Sequence, residues 1–348
     1  MILDAETLEP APAVETLVRG SAGLALPGRL KTELFASIVE LETEVCESAP
    51  AATAAVRRLR AAAAELAAAN GLAVAATGTH PTAVPERQAI VREPRYLELV
   101  EHGGITMQRQ GVSGLHVHVG MPSAEACHHV LEAVLPWLPL VLALSANSPY
   151  LAGAETGLAS NRAEVLAQLP RSGAPPAFRN YGEWESFVRR LIRLGVTTDY
   201  TTIWWDVRPH PRLGTLEVRM PDQPTEPAKG SALVALVTAL CVWGAREPWR
   251  PPDPAGRGLY AESRWAALRF GPRAQLVHPD GERLATVGEL HIELLERLGP
   301  VVAELGLAEA LLALDPLWCE GDDQLEVGRS RGLRAVSADL CERTLRSI

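Results

Sequence analysis

Aromatic side chains make up only 5% of this chain, and basic residues are not in excess: 33 Lys and Arg stand against 42 Asp and Glu, a formal net charge of −9. Without a basic surface, nucleic-acid binding by counterion release is excluded, although a local group of arginines could still hold a small anion. Cysteines are few and dispersed. Cys46, Cys127, Cys241, Cys319 and Cys341 contain no C-x-x-C, so they read as reduced thiols and not as a disulfide framework or a zinc site. The opening Met1-Ile2-Leu3-Asp4-Ala5-Glu6 lacks the basic start and apolar core of a signal peptide. Long apolar runs are also missing. Residues 130–146 are interrupted by Glu132, Pro136 and Pro139, and residues 233–243 are too few to cross a bilayer, so both are expected to be buried helices. Neither a Walker A loop nor G-x-G-x-x-G precedes a helix, which disfavours P-loop and Rossmann nucleotide sites. These absences leave a cytoplasmic protein that acts on small molecules, with neither nucleic acid nor membrane as a partner.

What is present is Ala and Leu in abundance, with Gly and Pro at the joints. Residues 31–46 place apolar and acidic side chains at helical spacing. Residues 51–70 form an Ala-rich helix that stops at Asn70-Gly71. A strand is expected over 71–77, a helix over 93–102 and a strand over 112–119. A further helix is capped by Ser123. Residues 147–178 read as a long functional loop, and 182–194 as an amphipathic helix. Strands over 201–208 and 214–220 are joined by a Pro- and His-containing turn, which suggests an antiparallel pair. Helices are expected over 228–245, 261–270, 287–314 and 332–346. Residues 248–258 form a Pro/Gly-rich connector before this helical C-terminal part of a single domain, 1–348. Strands flanked by helices without regular βαβ alternation predict an α+β fold with an antiparallel sheet.

Alternate residues of a strand share a face. His116 therefore projects with His118, Asp206 with Arg208, and Thr215 with Glu217 and Arg219, while Leu115, Val117, Val119, Leu216, Val218 and Met220 face the other way. Alone, an H-x-H on a strand is more often structural than a ligand pair, and Glu-x-Arg is usually a surface ion pair of little energetic worth. Together they suggest a concave face that binds metal and phosphate. Phosphoryl transfer needs negative charge neutralised, mostly by a divalent cation and Arg. Carboxylates hold hard cations through oxygen, Arg clamps phosphate with two parallel bonds, and neutral His completes a metal shell or donates to phosphate.

Gly114-Leu115-His116-Val117-His118-Val119-Gly120 resembles the signature strand of the second glutamate–cysteine ligase family, the carboxylate–amine ligases. Ser145-Ala146-Asn147-Ser148-Pro149, followed by Gly153, Thr156-Gly157, Ser160 and Arg162, is similar to it as well. So are Trp204-Trp205-Asp206-Val207-Arg208, Gly214-Thr215-Leu216-Glu217-Val218-Arg219, Gly78-Thr79-His80-Pro81, Arg264-Trp265 and Leu333-Arg334-Ala335-Val336. The resemblance implies a curved antiparallel sheet like that of glutamine synthetase, with helices on its outer side and ATP and divalent cations (Mg2+ or Mn2+) on the concave face. It implies Glu33, Glu40, His116 and Glu217 as metal ligands, and His118 near the nucleotide phosphates. Arg219 and Arg162 would bind nucleotide and act in catalysis, Arg208 would act in catalysis and hold the substrate carboxylate, and Asn147, Ser148 and Thr79 would contact substrate. On residue pattern alone, Glu33 and Glu40 are an exposed helix face; two helical turns apart, they could also face one side together.

The reaction implied is ATP-dependent formation of an amide through an acyl phosphate, on glutamate with cysteine or another amine. Its partners are an amino-acid carboxylate, an amine and ATP. Family members open with a strand carrying Gly-Val-Glu-Glu-Glu, and Met1-Ile2-Leu3-Asp4 aligns just after it. The first acidic strand is therefore expected to be missing, whether through a late start codon or a shortened protein. An unpaired sheet edge and weaker cation binding would follow, leaving room for a homodimer and for a pseudoenzyme that binds nucleotide and metal with reduced turnover. A His-based metallohydrolase is a third reading, resting only on the H-x-H.

Overall fold

Strands are short and helices long, in keeping with the Ala- and Leu-rich composition. The computed structural model describes residues 1–315 and 319–346. It begins with β1 (Ile2–Asp4) and α1 (Val14–Gly20), then folds a hairpin from β2 (Gly28–Thr32) and β3 (Val39–Thr43). This hairpin corrects the helix expected over 31–46. Its register sets Lys31 opposite Glu40 and Arg29 opposite Glu42, and Lys31 Nζ lies 2.6 Å from Glu42 Oε2. Opposite charges across a ladder favour the strand form, and the alternation through Val39-Glu40-Leu41-Glu42 has a period of two.

α2 (Ala49–Ala68) follows, capped by Ser48, whose hydroxyl accepts from Ala51 N–H. β4 (Leu72–Val74) pairs antiparallel with β1. Next come α3 (Pro94–Gln108), β5 (Val117–Gly120), α4 (Ala124–Val134) and α5 (Leu138–Ser145). Ser123 caps α4 as expected, accepting from Ala126 N–H at 3.1 Å. Residues 147–178 are more ordered than a loop, with β6 (Tyr150–Leu151), β7 (Ala154–Glu155), α6 (Asn161–Ala167) and β8 (Ser172–Gly173). Long-range side-chain bonds hold these pieces, and periodicity does not register such bonds. α7 (Tyr181–Arg193) leads into β9 (Trp204–Trp205), β10 (Val207–His210) and β11 (Thr215–Val218). The remainder is α8 (Pro227–Gly244), α9 (Pro254–Phe270), the hairpin β12 (Gln275–Val277) and β13 (Leu284–Thr286), α10 (Val287–Leu305), α11 (Ala308–Leu311), α12 (Glu320–Arg331) and α13 (Leu333–Thr344).

The fold is α+β, with antiparallel pairing everywhere among the described strands except β8–β9. The antiparallel pairing is divided into a three-stranded sheet in the order β10-β11-β5 and several two-stranded sheets. α4 and α8 pack on this sheet, and Val117, Val207, Leu216 and Val218 are buried in one core with Leu233, Leu236 and Leu240 of α8. That core continues through α9 and α10, so it spans the connector, whose second half is already helix. Two helical stretches, Ala124–Ser145 and Pro227–Gly244, are long and apolar enough to cross a membrane by length and composition. They are 78% and 61% buried within the fold, as core helices are.

Candidate active site

The sheet carries apolar side chains toward the helices and charged ones on its other face, and register brings the latter together. Glu217 of β11 lies between Arg208 of β10 and His118 of β5. Arg208 Nε donates to Glu217 Oε2 at 2.6 Å, and Arg219 Nη1 donates to Glu217 Oε1. His116 Nδ1 and His118 Nε2 each stand 3.7 Å from Glu217 Oε1. His118 is oriented by Thr215, whose hydroxyl lies 2.9 Å from His118 Nδ1. The alternation read from the sequence therefore puts His116, His118, Thr215, Glu217 and Arg219 on one face.

Glu217 is 2% exposed. Burial opposes its ionised form, but the charges of Arg219 and Arg208 outweigh it and hold the carboxyl well below the usual carboxylate range. His116 and His118 shift down, chiefly by desolvation, with Arg219 adding to the shift at His116 and His210 adding to it at His118. The result is an ionised carboxylate beside two neutral imidazoles, with 36% of the His116 side chain and 32% of the His118 side chain open to solvent. Arg208 is fixed from behind, its Nη1 donating to Thr201 O at 2.8 Å and Ile203 O at 2.5 Å.

His210 extends this face. Its ring is 5.2 Å from that of His118 and 5.2 Å from that of Tyr200, edge-on in both cases. Alternation with Arg208 was a sequence signal for it, hidden by the flanking Pro209 and Pro211. Asp206, expected on the face of Arg208, points elsewhere: Tyr260 Oη and Arg264 Nε of α9 each donate to Asp206 Oδ2 at 2.7 Å. The strand is interrupted between β9 and β10 at this residue, which breaks the alternation.

The second acidic pair lies on the hairpin. Glu33 follows β2 and Glu40 lies within β3. Burial and then the charge of Glu40 push the Glu33 carboxyl up to about 7. Glu40 is 3.3 Å from Lys31. Among the described residues no three His, Cys, Asp or Glu side chains are grouped to hold a metal. Of the four expected ligands, His116 and Glu217 stand 3.7 Å apart on the sheet, and Glu33 and Glu40 lie on the hairpin. The donor chemistry at Glu217 and His116 suits a hard cation, an ionised oxygen beside a neutral nitrogen, although both Glu217 oxygens already accept from arginines.

The remaining candidates are buried and bonded inside the fold. Arg162, 2% exposed, donates to Met220 O at 2.9 Å and Arg219 O at 3.0 Å. Its two terminal nitrogens are thus taken by backbone, while its buried Nε has no hydrogen-bond partner. Asn147, Ser148 and Thr79 are at most 1% exposed. Asn147 Nδ2 donates to Gln223 O and Thr225 Oγ1, and Gln324 donates to Asn147 Oδ1. Ser148 Oγ donates to Asp222 Oδ2 at 2.7 Å, and Thr79 Oγ1 to Tyr150 O at 2.6 Å. In the fold these three side chains serve as scaffold, each polar group already satisfied within the protein. Asp222, the hub for Asn147, Ser148 and Ser160, escaped sequence reading, since no local pattern marks a residue whose partners lie more than sixty positions away.

The family model for glutamate–cysteine ligase family 2 matches residues 2–334. A Rubrobacter xylanophilus protein carrying a provisional glutamate–cysteine ligase 2-3 name is 38% identical over 347 residues, covering 99% of this chain and 94% of that one. The glutamate–cysteine ligase of Haloferax volcanii is 36% identical over 301 residues, covering 86% and 84%. Among solved structures, the glutamate–cysteine ligase of Francisella tularensis in complex with AMP superposes with a TM-score of 0.73, covering 100% of this chain and 87% of that one at 14% identity, a likeness of fold. The chain belongs to glutamate–cysteine ligase family 2, an enzyme of the ATP-dependent carbon–nitrogen ligase type.

Proposed function

We propose that this chain joins glutamate, through its side-chain carboxylate, to cysteine or another amine, with ATP as the energy source. The observation that carries the reading is the ionised Glu217 bracketed by Arg208 and Arg219 with two neutral imidazoles at its edge. The carboxylate oxygen attacks the γ-phosphorus of ATP and ADP leaves. The amine nitrogen then attacks the acyl carbon of the acyl phosphate, phosphate departs and the amine loses a proton. No side-chain nucleophile is needed, so catalysis rests on positioning and on neutralising phosphate charge. Arg219, at the open edge, supplies positive charge to phosphate. Arg208, locked by Glu217 and the carbonyls of Tyr200, Thr201 and Ile203, keeps Glu217 ionised and in place. His118, oriented by Thr215, presents a neutral ring to the phosphates. Glu217 and His116 would hold a divalent cation such as Mg2+ or Mn2+, whose charge offsets that of the phosphate oxygens when bound.

The purified chain, given ATP, magnesium and glutamate with a panel of amines including cysteine, should release ADP and form an amide detectable by mass. ATP turnover independent of both amino acids would refute the proposal. A second reading, a nucleotide-binding protein with reduced turnover, draws on both Glu217 oxygens already accepting from arginines, which leaves less for a cation. It predicts ATP binding by calorimetry without ADP release.

A further inference from the structure

β5 and β11 pair in register from Gly120–Thr215 to Val117–Val218, and the two segments meet again at the bridge Gly114–Asp222. Between these points one segment holds Leu115 and His116, while the other holds Arg219, Met220 and Pro221. The longer side carries one extra residue, which is a β-bulge, a device that re-aims side chains beside active sites. Leu115 N–H donates across it to Pro221 O at 3.1 Å. The carbonyls of Met220 and Arg219 are taken by the two terminal nitrogens of Arg162. On the opposite side, Arg219 N–H donates to Asp206 O at 2.8 Å. The Arg219 peptide is thus gripped from both directions.

The clasp has its own support. Asp222 stands 3.9 Å from Arg162, and is itself held by Ser148 Oγ, Ser160 Oγ and Asn147 N–H at 2.7, 2.7 and 2.9 Å. A Cβ on Gly114 would overlap the Arg162 guanidinium, so any side chain here must displace that group, with no positive φ involved. Gly78 is similarly crowded, because a Cβ there would come within 3.0 Å of Asp222.

We infer that Arg162 is a positioning residue: it clasps the bulge between β11 and Asp222 and thereby sets the Arg219 side chain against Glu217. The inference rests on the ligase reading for its activity test. A bulge held by one forked guanidinium cannot be kept by a point charge, so Lys does not replace Arg here.

The test is a double-mutant cycle on amide formation with Arg162→Met and Arg219→Met. Arg162→Met alone should lower kcat by up to about 100-fold, as displacement of a distant support does, with KM for ATP moving less. In the Arg219→Met background the same change should act within about twofold, because independent sites add and coupled ones do not. Arg162→Lys should not rescue. Fully additive losses would overturn the inference, since Arg162 would then act without Arg219. If Arg162→Met does not fold, Gly114→Ala, which displaces the same guanidinium, enters the cycle in its place. A wild-type protein that forms no amide sinks the ligase reading alone. The crystal structure of the Arg162→Met or Gly114→Ala variant then decides the clasp: Arg219 displaced from Glu217 supports it, and Arg219 unmoved overturns it.

Discussion

Glu217 and Asp222 are neighbouring carboxylates with almost no exposure, 2% and 0%, and opposite characters. Glu217 is held well below the usual carboxylate range, since two guanidiniums touch it and outweigh its burial. Asp222 is shifted up, because burial dominates and its nearest cation, Arg162, is 3.9 Å away and directed at carbonyls. Hydroxyls and a peptide N–H satisfy its oxygens instead. Burial alone therefore does not define a reactive acid. Contact with fixed cations makes Glu217 a charge centre, while neutral donors make Asp222 a structural knot.

The largest expected effect follows from Glu217→Gln. Removing the charge should reduce ligase turnover by about 100- to 1,000-fold and destabilise the fold by about 3–5 kcal/mol, since Arg208 stays buried without its partner. Steady-state ADP release and urea unfolding read the two effects, and turnover within tenfold of wild type would break the comparison. Asp222→Asn should cost less, about 1–3 kcal/mol, as one hydrogen-bonding acceptor is weakened. Acid unfolding should separate the pair further. Glu217 has a depressed folded value, so its contribution is present above its unfolded value of 4.5 and lost as pH falls toward the folded one. Asp222 has a raised folded value, so its contribution is present below 3.8 and lost as pH rises through the folded one. The wild-type acid limb should therefore be shallower than that of Asp222→Asn.

Glu33 is also shifted up by burial, with its titration near neutrality. With its folded value pushed up to about 7, its contribution is present below 4.5 and lost as pH rises through about 7. Glu33→Gln should flatten the stability profile between those values and leave the protein more stable than wild type at pH 8, measured as Tm across a buffer series. An unchanged slope would mean that Glu33 stays ionised throughout. The smallest effect belongs to the exposed end of the hairpin. The Arg29 side chain is 66% exposed in its pair with Glu42, and Arg29→Ala should cost less than about 1 kcal/mol. A larger loss in a denaturant titration would show that the hairpin pair behaves like the buried Arg208–Glu217 pair.

How far the sequence could be read depended on the range of the interactions. His116, His118, Thr215, Glu217 and Arg219 were legible as one face because a strand alternates strictly, and Ser123 as a cap because capping acts within three residues. Residues 31–46 misled because apolar and acidic side chains there satisfy a helical spacing as well as a period of two. The cross-strand charges that choose between them are tertiary. Arg162, Asn147, Ser148 and Thr79 were legible as motif positions, but their orientation toward ligand or backbone was not.

By itself the sequence determined the charged face of the β5–β11–β10 sheet, the helical C-terminal part and the family, since these rest on local periodicity and on motifs contiguous in the chain. Only the tertiary structure decided that Asp206 turns to α9, that Asp222 is a hub, and that Arg162 grips the Arg219 peptide. Each of those partners lies more than fifty residues away, and hydrogen bonds over that separation form through packing, which no short-range pattern encodes.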